Sequence, residues 1–357
     1  MSKLRFNYGF RAHEVLHHPE APQRIRWLKE CGVETIWLDG YFYGHYEADD
    51  ETMLAAKRRL EDEGFDVNAI SVPVGHPGNS LNPEDDTLEL EIPKTWRYRM
   101  EPDCKPHFFC ACIEDVMVED NGRAAEKYAQ MGFRKLFFDD DLRMGECGRE
   151  IGGCFCPACM KEFNQRTGLA LQPKALDAML RKDEADCSDE EKGVRAEWIR
   201  YNCEKVTRLL KRCDVPGLQI GTMLMYKGDR RHGLDVEMMK AAVPNCMFRV
   251  GELHFSDADY LAPGGREALS ESVRGHMSRI GANDTYSEST VFPPRAMSPE
   301  TLMDKLRLEV QLGLRNIFLM SGTWFLTEPY WKALAAERPN LEALAEKLNS
   351  AKFYNSK

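Results

Sequence analysis

Short β-rich apolar runs alternate with amphipathic stretches along this chain, and the alternation repeats eight times. The strand candidates are residues 4–10 (LRFNYGF), 34–40 (ETIWLDG), 67–74 (VNAISVPV), 135–141 (KLFFDDD), 218–224 (LQIGTML), 247–253 (MFRVGEL), 284–290 (DTYSEST) and 316–322 (NIFLMSG). Between them, patterns such as APQRIRWLKECG and DDETMLAAKRRLEDEG each close on a glycine that suits the position just past a helix end. The clearest helix opens at Ser188, with Glu191 completing a capping box. It sets Trp198, Ile199, Cys203, Val206, Leu209, Leu210 and Cys213 on one stripe, interrupted by Asn202. Strand then helix, eight times over, predicts an α/β fold of the (β/α)8 TIM-barrel type. A doubly wound open sheet uses the same alternation, but no G-x-G-x-x-G turn follows the first strand.

A barrel of this kind takes about 250 residues and grows past roughly 400 with insertions. The 357 residues therefore read as a single barrel domain over 1–357. The surplus falls at 75–112, after the third strand, and at 142–187, after the fourth. Both join a strand to its following helix, which assigns them to the C-terminal face, where barrel active sites are built. With 48 Lys plus Arg against 58 Asp plus Glu, the formal charge of −10 argues against a nucleic-acid partner, because phosphate contacts need a basic face. No apolar run approaches the about 18 residues of a membrane helix, and the opening MSKLRFNYGFRAHEV turns polar before a signal peptide could form. The expectation is a cytoplasmic protein without a membrane partner, for which a homo-oligomer is allowed.

In such a compartment the 12 cysteines read as thiols or metal ligands rather than as a disulfide framework. Cys154, Cys156 and Cys159 form C-x-C-x-x-C just ahead of a helix. Thiolates at that density suit a tetrahedral, structural zinc, which wants a fourth soft ligand. Cys112 is favoured, with Cys110 and Cys147 as alternatives. Free thiols and an iron–sulfur cluster use the same residues. A catalytic zinc is disfavoured, since four thiolates leave no open position. Cys31, Cys203, Cys213 and Cys246 lie in or beside apolar patterns and read as small hydrophobes.

Three consecutive carboxylates, Asp139, Asp140 and Asp141, end the fourth strand, where uncompensated charge is expensive. Alternation puts Asp139 and Asp141 on one side and Asp140 on the other. Capping of the next helix or pairing with Arg143 would account for one of them, not for all three. The seventh strand carries Glu288 beside Tyr286, the sixth carries Glu252 and His254, and the eighth leads to Trp324. Carboxylates facing one another across a barrel mouth, with aromatic rings to stack on a sugar, are what glycoside hydrolysis needs. One carboxyl protonates the leaving oxygen and the other attacks the anomeric carbon.

The acidic cluster after strand four, the C-x-C-x-x-C that follows it, the cysteine in the preceding insertion and the lone Glu on strand seven together resemble the catalytic barrel of the glycoside hydrolase family 42 β-galactosidases. The resemblance covers roughly residues 1–330 and lies in architecture and motif order. It implies Asp141 in the acid/base place, Asp140 in the place of that family's Asn, and Glu288 in the nucleophile's place. It further implies a structural zinc on Cys154, Cys156, Cys159 and Cys112 or Cys110. Asp-Asp stands where the family has Asn-Glu, so β-galactoside specificity does not carry over. The leading expectation is a retaining glycosidase acting on a carbohydrate substrate, with Glu252, His254, Tyr286, Trp324 and Arg143 as sugar contacts. In the rival reading the barrel binds carbohydrate without cleaving it. A weaker third reading is a metal-dependent isomerase or hydrolase using His76, Glu252, His254 and Asp141. Carboxyls about 5–5.5 Å apart would mark a retaining pair, and about 6.5–9.5 Å an inverting one.

Overall fold

The computed structural model describes residues 3–75, 91–139, 142, 144, 150–281, 285–320 and 324–355. Eight parallel strands make the barrel: β1 Arg5–Phe10, β2 Val33–Phe42, β3 Asp66–Val72, β4 Lys135–Phe138, β5 Gln219–Leu224, β6 Met247–Val250, β7 Thr285–Tyr286 and β8 Asn316–Met320. Each pairs with its neighbour in sequence, and β1 pairs with both β2 and β8, which closes the sheet. The outer ring is α1 Ala21–Glu30, α2 Asp50–Asp62, α3 Asp115–Gln130, α4 Asp189–Arg212, α5 Val236–Ala242, α6 Gly265–Ile280, α7 Pro299–Leu312 and α8 Glu328–Asn355. This is the (β/α)8 barrel expected from the alternation. Among the described residues no helix is long and apolar enough to cross a membrane.

Local signals act as the sequence suggests. α4 carries the Ser188–Glu191 capping box, and its one polar interruption, the buried Asn202, bonds back to the Trp198 carbonyl at 2.8 Å. Two strand ends differ from expectation. β4 stops at Phe138, and Asp139 follows it with its amide still on the Ser71 carbonyl of β3 at 2.8 Å. β7 stops at Tyr286 because the Ser287 hydroxyl takes the Phe318 amide at 2.9 Å, where a ladder carbonyl would otherwise accept. Pairing with β8 resumes for two residues at Ser289–Thr290.

The barrel interior is filled by Trp37, Ile70, Phe137, Met247, Tyr286 and Phe318, a layer of inward side chains from alternate positions along the strands. Beyond the barrel wall, residues after β4 build a small core of their own. There Trp198 is fully buried against Phe155, Phe163 and Tyr201, and its indole donates to the Gly152 carbonyl at 2.8 Å. The β3–α3 connection contains a hairpin of Tyr98–Met100 with Pro106–Ala111. It meets the β4–α4 connection through Phe155 N to Met100 O, 2.9 Å.

Candidate active site and cysteine centre

Side chains on a strand alternate in direction, so the residues two positions beyond the interior layer point inward again, one step nearer the C-terminal mouth. From Trp37, Phe137, Met247 and Tyr286 those positions are Asp39, Asp139, Arg249 and Glu288. A charged layer thus sits directly on an aromatic plug, and the Arg249 guanidinium lies 5.1 Å above the Phe318 ring. Arg249 is ion-paired with Asp139 and approaches Glu288 Oε1 at 3.7 Å, bridging the ends of β4 and β7. Asp39 is partly buried within β2, three residues before its end. Burial and the neighbouring charges of Glu47, Asp139 and Glu14 push its carboxyl up to about 7, against the pull of Arg11, which is itself paired with Glu47.

Glu288 is held by a reciprocal latch. Its Oε2 accepts the amides of Glu252 at 2.7 Å and Leu253 at 3.3 Å, while its own amide donates to Glu252 Oε1 at 2.9 Å. Leu253 and His254 both adopt left-handed backbone, φ +60° each, which costs about 1–2 kcal/mol per residue without glycine. That turn carries the chain sharply away after Glu252. The buried Lys305 of α7 holds it, donating to the carbonyls of Leu253 (3.2 Å), His254 (3.4 Å) and Glu288 (3.0 Å). Burial pushes the Glu288 carboxyl up to about 7, outweighing the downward pull of Arg249 and Lys305. Glu309, one turn along α7 from Lys305, is also fully buried.

Of the sequence-predicted residues, Glu288 stands at the mouth, 4% exposed. Glu252 is fully buried and spends its carboxylate on Glu288 and Lys305. Tyr286 fills the barrel interior, its hydroxyl on the Met247 sulfur at 3.7 Å. His254 is partly buried, with Nδ1 3.2 Å from the Glu252 carbonyl. Trp324 is partly buried, edge-on to Tyr330 at 6.1 Å. Asp140, Asp141, Arg143, His76 and Cys147 lie outside the described residues. Sequence reading missed Asp39, Arg249, Lys305 and Glu309. For the first two the signal existed: a charge two residues past an inward apolar side chain on a strand.

The Sγ atoms of Cys112, Cys154, Cys156 and Cys159 all lie within 4.8 Å of one another, and all four residues are buried. Cys112 Sγ is 4.0 Å from Cys156 Sγ and 3.5 Å from Cys159 Sγ. A tetrahedral zinc with bonds of about 2.3 Å separates its sulfurs by about 3.8 Å, so the four fit one ion. Cys110 is buried too but stands outside this group. Lys205 of α4 donates to Cys159 Sγ at 3.0 Å. Hydrogen bonds from Cys112 and Cys154, together with the Lys205 charge, bring the Cys159 thiol down to about 6. Among the described residues this is the one group of three or more such side chains close enough to share a metal.

No protein-family model matches the chain, and no curated protein matches it. Among solved structures it is similar to the PgaB (BpsB) glycoside hydrolase domain from Bordetella bronchiseptica. There the TM-score is 0.52 at 14% identity, over 96% of this chain and 98% of that one. A chitinase from Chromobacterium violaceum matches at TM-score 0.48 and 9% identity, over 93% and 98% of the two chains. A GH18 chitinase from Pseudoalteromonas aurantia matches at 0.46 and 10%, over 93% and 99%. At these identities the likeness is one of fold.

Proposed function

We propose that the protein is a glycoside hydrolase that cleaves an O-glycosidic bond of a carbohydrate with retention, using Glu288 as nucleophile and Asp141, flanked by Asp140, as acid/base. The observation that carries this reading is Glu288 itself. It is a buried carboxylate at a barrel mouth, with one oxygen fixed by two amides and the other turned toward Arg249. Such fixation lines up an attacking oxygen before substrate arrives. The motif order shared with family 42 supports the assignment of Asp141, and the barrel shared with a glycoside hydrolase domain agrees with the reaction class. With Glu288 titrating near 7, attack by its carboxylate requires neutral or higher pH.

In the same proposal Cys112, Cys154, Cys156 and Cys159 hold a structural zinc. Four thiolates close its coordination shell, so it supplies stability and no chemistry at the mouth. A second reading, a barrel that binds carbohydrate without cleaving it, draws on Arg249, whose guanidinium neutralises Asp139 and approaches Glu288.

A panel of aryl glycosides tests the choice. Turnover that falls by orders of magnitude in Glu288→Gln, with the fold intact, supports the glycosidase. Asp141→Asn should be rescued by substrates with good leaving groups, since these need little protonation. Asp140→Asn should be the mildest of the three. No turnover above background across the panel favours the binding barrel, and turnover that survives Glu288→Gln removes Glu288 from the nucleophile's place.

A further inference from the structure

Beneath the mouth, the Lys305 ammonium lies 3.6 Å from Glu252 Oε2 and donates to the Glu288 backbone carbonyl at 3.0 Å, with Glu309 one turn further along α7; Glu252, Glu309 and Lys305 are fully buried. Two oxygens in this group have no hydrogen-bond partner among the described residues: Glu252 Oε2 and Glu309 Oε1. The Glu309 carboxyl lies within hydrogen-bonding reach of the Glu252 carboxyl. Two ionised carboxylates are both acceptors only, so neither could satisfy the other. Buried acceptors left that way are costly, and two adjacent buried anions more so.

A chain of hydroxyls says where a proton belongs. The Phe318 amide donates to Ser287 Oγ at 2.9 Å, and Ser287 Oγ is 2.6 Å from Ser289 Oγ, which in turn lies 2.6 Å from Glu309 Oε2. With Glu309 Oε2 accepting the Ser289 hydrogen, the Ser287 hydrogen goes to Ser289 and the Phe318 amide to Ser287 Oγ, so every hydrogen of the chain is placed. The remaining oxygen of Glu309, Oε1, is the one that can carry a hydrogen, and it is one of the two orphans.

We infer that Glu309 is held as a neutral acid whose Oε1–H donates to Glu252 Oε2, and that the Glu252–Glu309 pair is the positioning device for Glu288. This rests on the reading of Glu288 as the working carboxylate. The proton leaves Glu252 as the anion that pairs with Lys305 and accepts the Glu288 amide, while the Glu252 amide fixes Glu288 Oε2. Burial and the Glu252 charge raise the Glu309 carboxyl well above its ordinary range, against the pull of Lys305. The other titratable groups facing the pair are His276, whose imidazole feels the Glu252 charge, and Tyr260, whose phenol feels that of Glu309. Neither adds a charge: burial keeps His276 below its ordinary value and holds the Tyr260 phenol neutral, lifted to about 12.

Infrared spectroscopy of the full chain tests the proton without any substrate. It is run roughly one to two pH units above the value near 7 shared by Glu288 and Asp39, so that both are ionised. The wild type should keep a protonated-carboxyl band that shifts on glutamate-specific ¹³C labelling and disappears in Glu309→Gln. A wild-type spectrum without that band overturns the proposal whether or not the variant folds, as does a band that survives Glu309→Gln.

The positioning role is read from the titration of Glu288, followed by ¹³C NMR of labelled glutamate. Glu309→Leu removes the donor and should move the midpoint by about one unit, a tenfold change in proton affinity. Glu309→Gln keeps an N–H donor and should restore the wild-type midpoint. Identical midpoints in wild type and Glu309→Leu refute positioning. A band that behaves as stated in a protein that turns over no aryl glycoside would sink the glycosidase reading and leave the shared proton standing. Turnover without the band would do the reverse.

Discussion

The raised carboxyl of Glu288 makes a stability prediction that needs no substrate. Its ordinary value is 4.5, and burial lifts it to about 7 in the folded protein. Between those values the folded state holds a proton that the unfolded chain has lost. This contribution to stability is complete below about 4.5 and is lost as pH rises through 7. Its full size is a shift of about 2.5 units at 1.36 kcal/mol each, roughly 3 kcal/mol. Between about pH 5 and about pH 8 the change is roughly 2.5 kcal/mol, because the unfolded carboxyl is already mostly ionised at the lower end. Glutamine at 288 keeps the shape and the acceptor for the Glu252 and Leu253 amides, but it does not titrate. Urea unfolding of wild type and Glu288→Gln at the two pH values gives a double difference in which groups that titrate alike in both proteins cancel. The variant should gain on the wild type by roughly 2.5 kcal/mol from the lower pH to the higher. A gap constant to within about 0.5 kcal/mol would mean that the two amides and Arg249 keep Glu288 ionised throughout, and the reasoning from burial would fail.

Arg249→Met removes the strongest downward pull on Glu288, so the midpoint should move further above 7, by about a unit, in an NMR titration. Trp198→Ala empties the small core after β4 and removes the shorter of the two hydrogen bonds to the Gly152 carbonyl, and should cost about 3–5 kcal/mol in denaturant unfolding. Elemental analysis of protein purified without added metal should find one zinc per chain, and Cys156→Ser should lose both the metal and part of the melting temperature. Neither zinc nor iron in the wild type would refute that centre. Chelation should lower the melting temperature first, and then the rate on any aryl glycoside the protein turns over, at temperatures where the fold survives.

The barrel was legible because its signals are local and repeated. A strand–helix period, capping residues and turn glycines each act within a few residues, and all point to the same fold. Glu288 was legible because one charge in TYSEST has no other reason to sit at a strand end. Its supports were not. Lys305 and Glu309 are spaced i,i+4 in PETLMDKLRLEVQL, which reads as a solvated ion pair on a helix surface. Both nevertheless share the buried face with Leu302, Leu306 and Val310. The informative sign was a pair of charges lying on the apolar stripe itself. Glu252 misled for a related reason. Alternation fixes which way a strand residue points only while the strand lasts, and β6 ends at Val250. Two left-handed residues after Glu252 then turn the chain, and its carboxylate goes to Lys305. The fourth cysteine depended on a contact between two distant connections, for which sequence favoured Cys112 but kept Cys110 and Cys147 as alternatives.

That contact gives the cysteine centre a mechanical link to the mouth. Cys112 comes from the β3–α3 connection, Cys154, Cys156 and Cys159 from the β4–α4 connection, and Lys205 from α4. The acidic triplet is tied at its near end by Asp139 N to Ser71 O, 2.8 Å. Downstream, Met144 donates to the His232 carbonyl at 2.7 Å and accepts from Gly153 N at 2.8 Å and from Arg99 Nη1 at 2.9 Å. Gly153 is the residue immediately before Cys154, so Met144, three residues after Asp141 in sequence, is bonded directly beside the proposed metal shell. Releasing the four thiolates removes the fixed end of that link while the barrel ladder, which holds Ser71 and Phe138, is untouched. A catalytic group displaced by about 1 Å loses roughly 100-fold in rate. A zinc that touches no substrate would then still govern the rate, through where it lets the strand-four carboxylates stand.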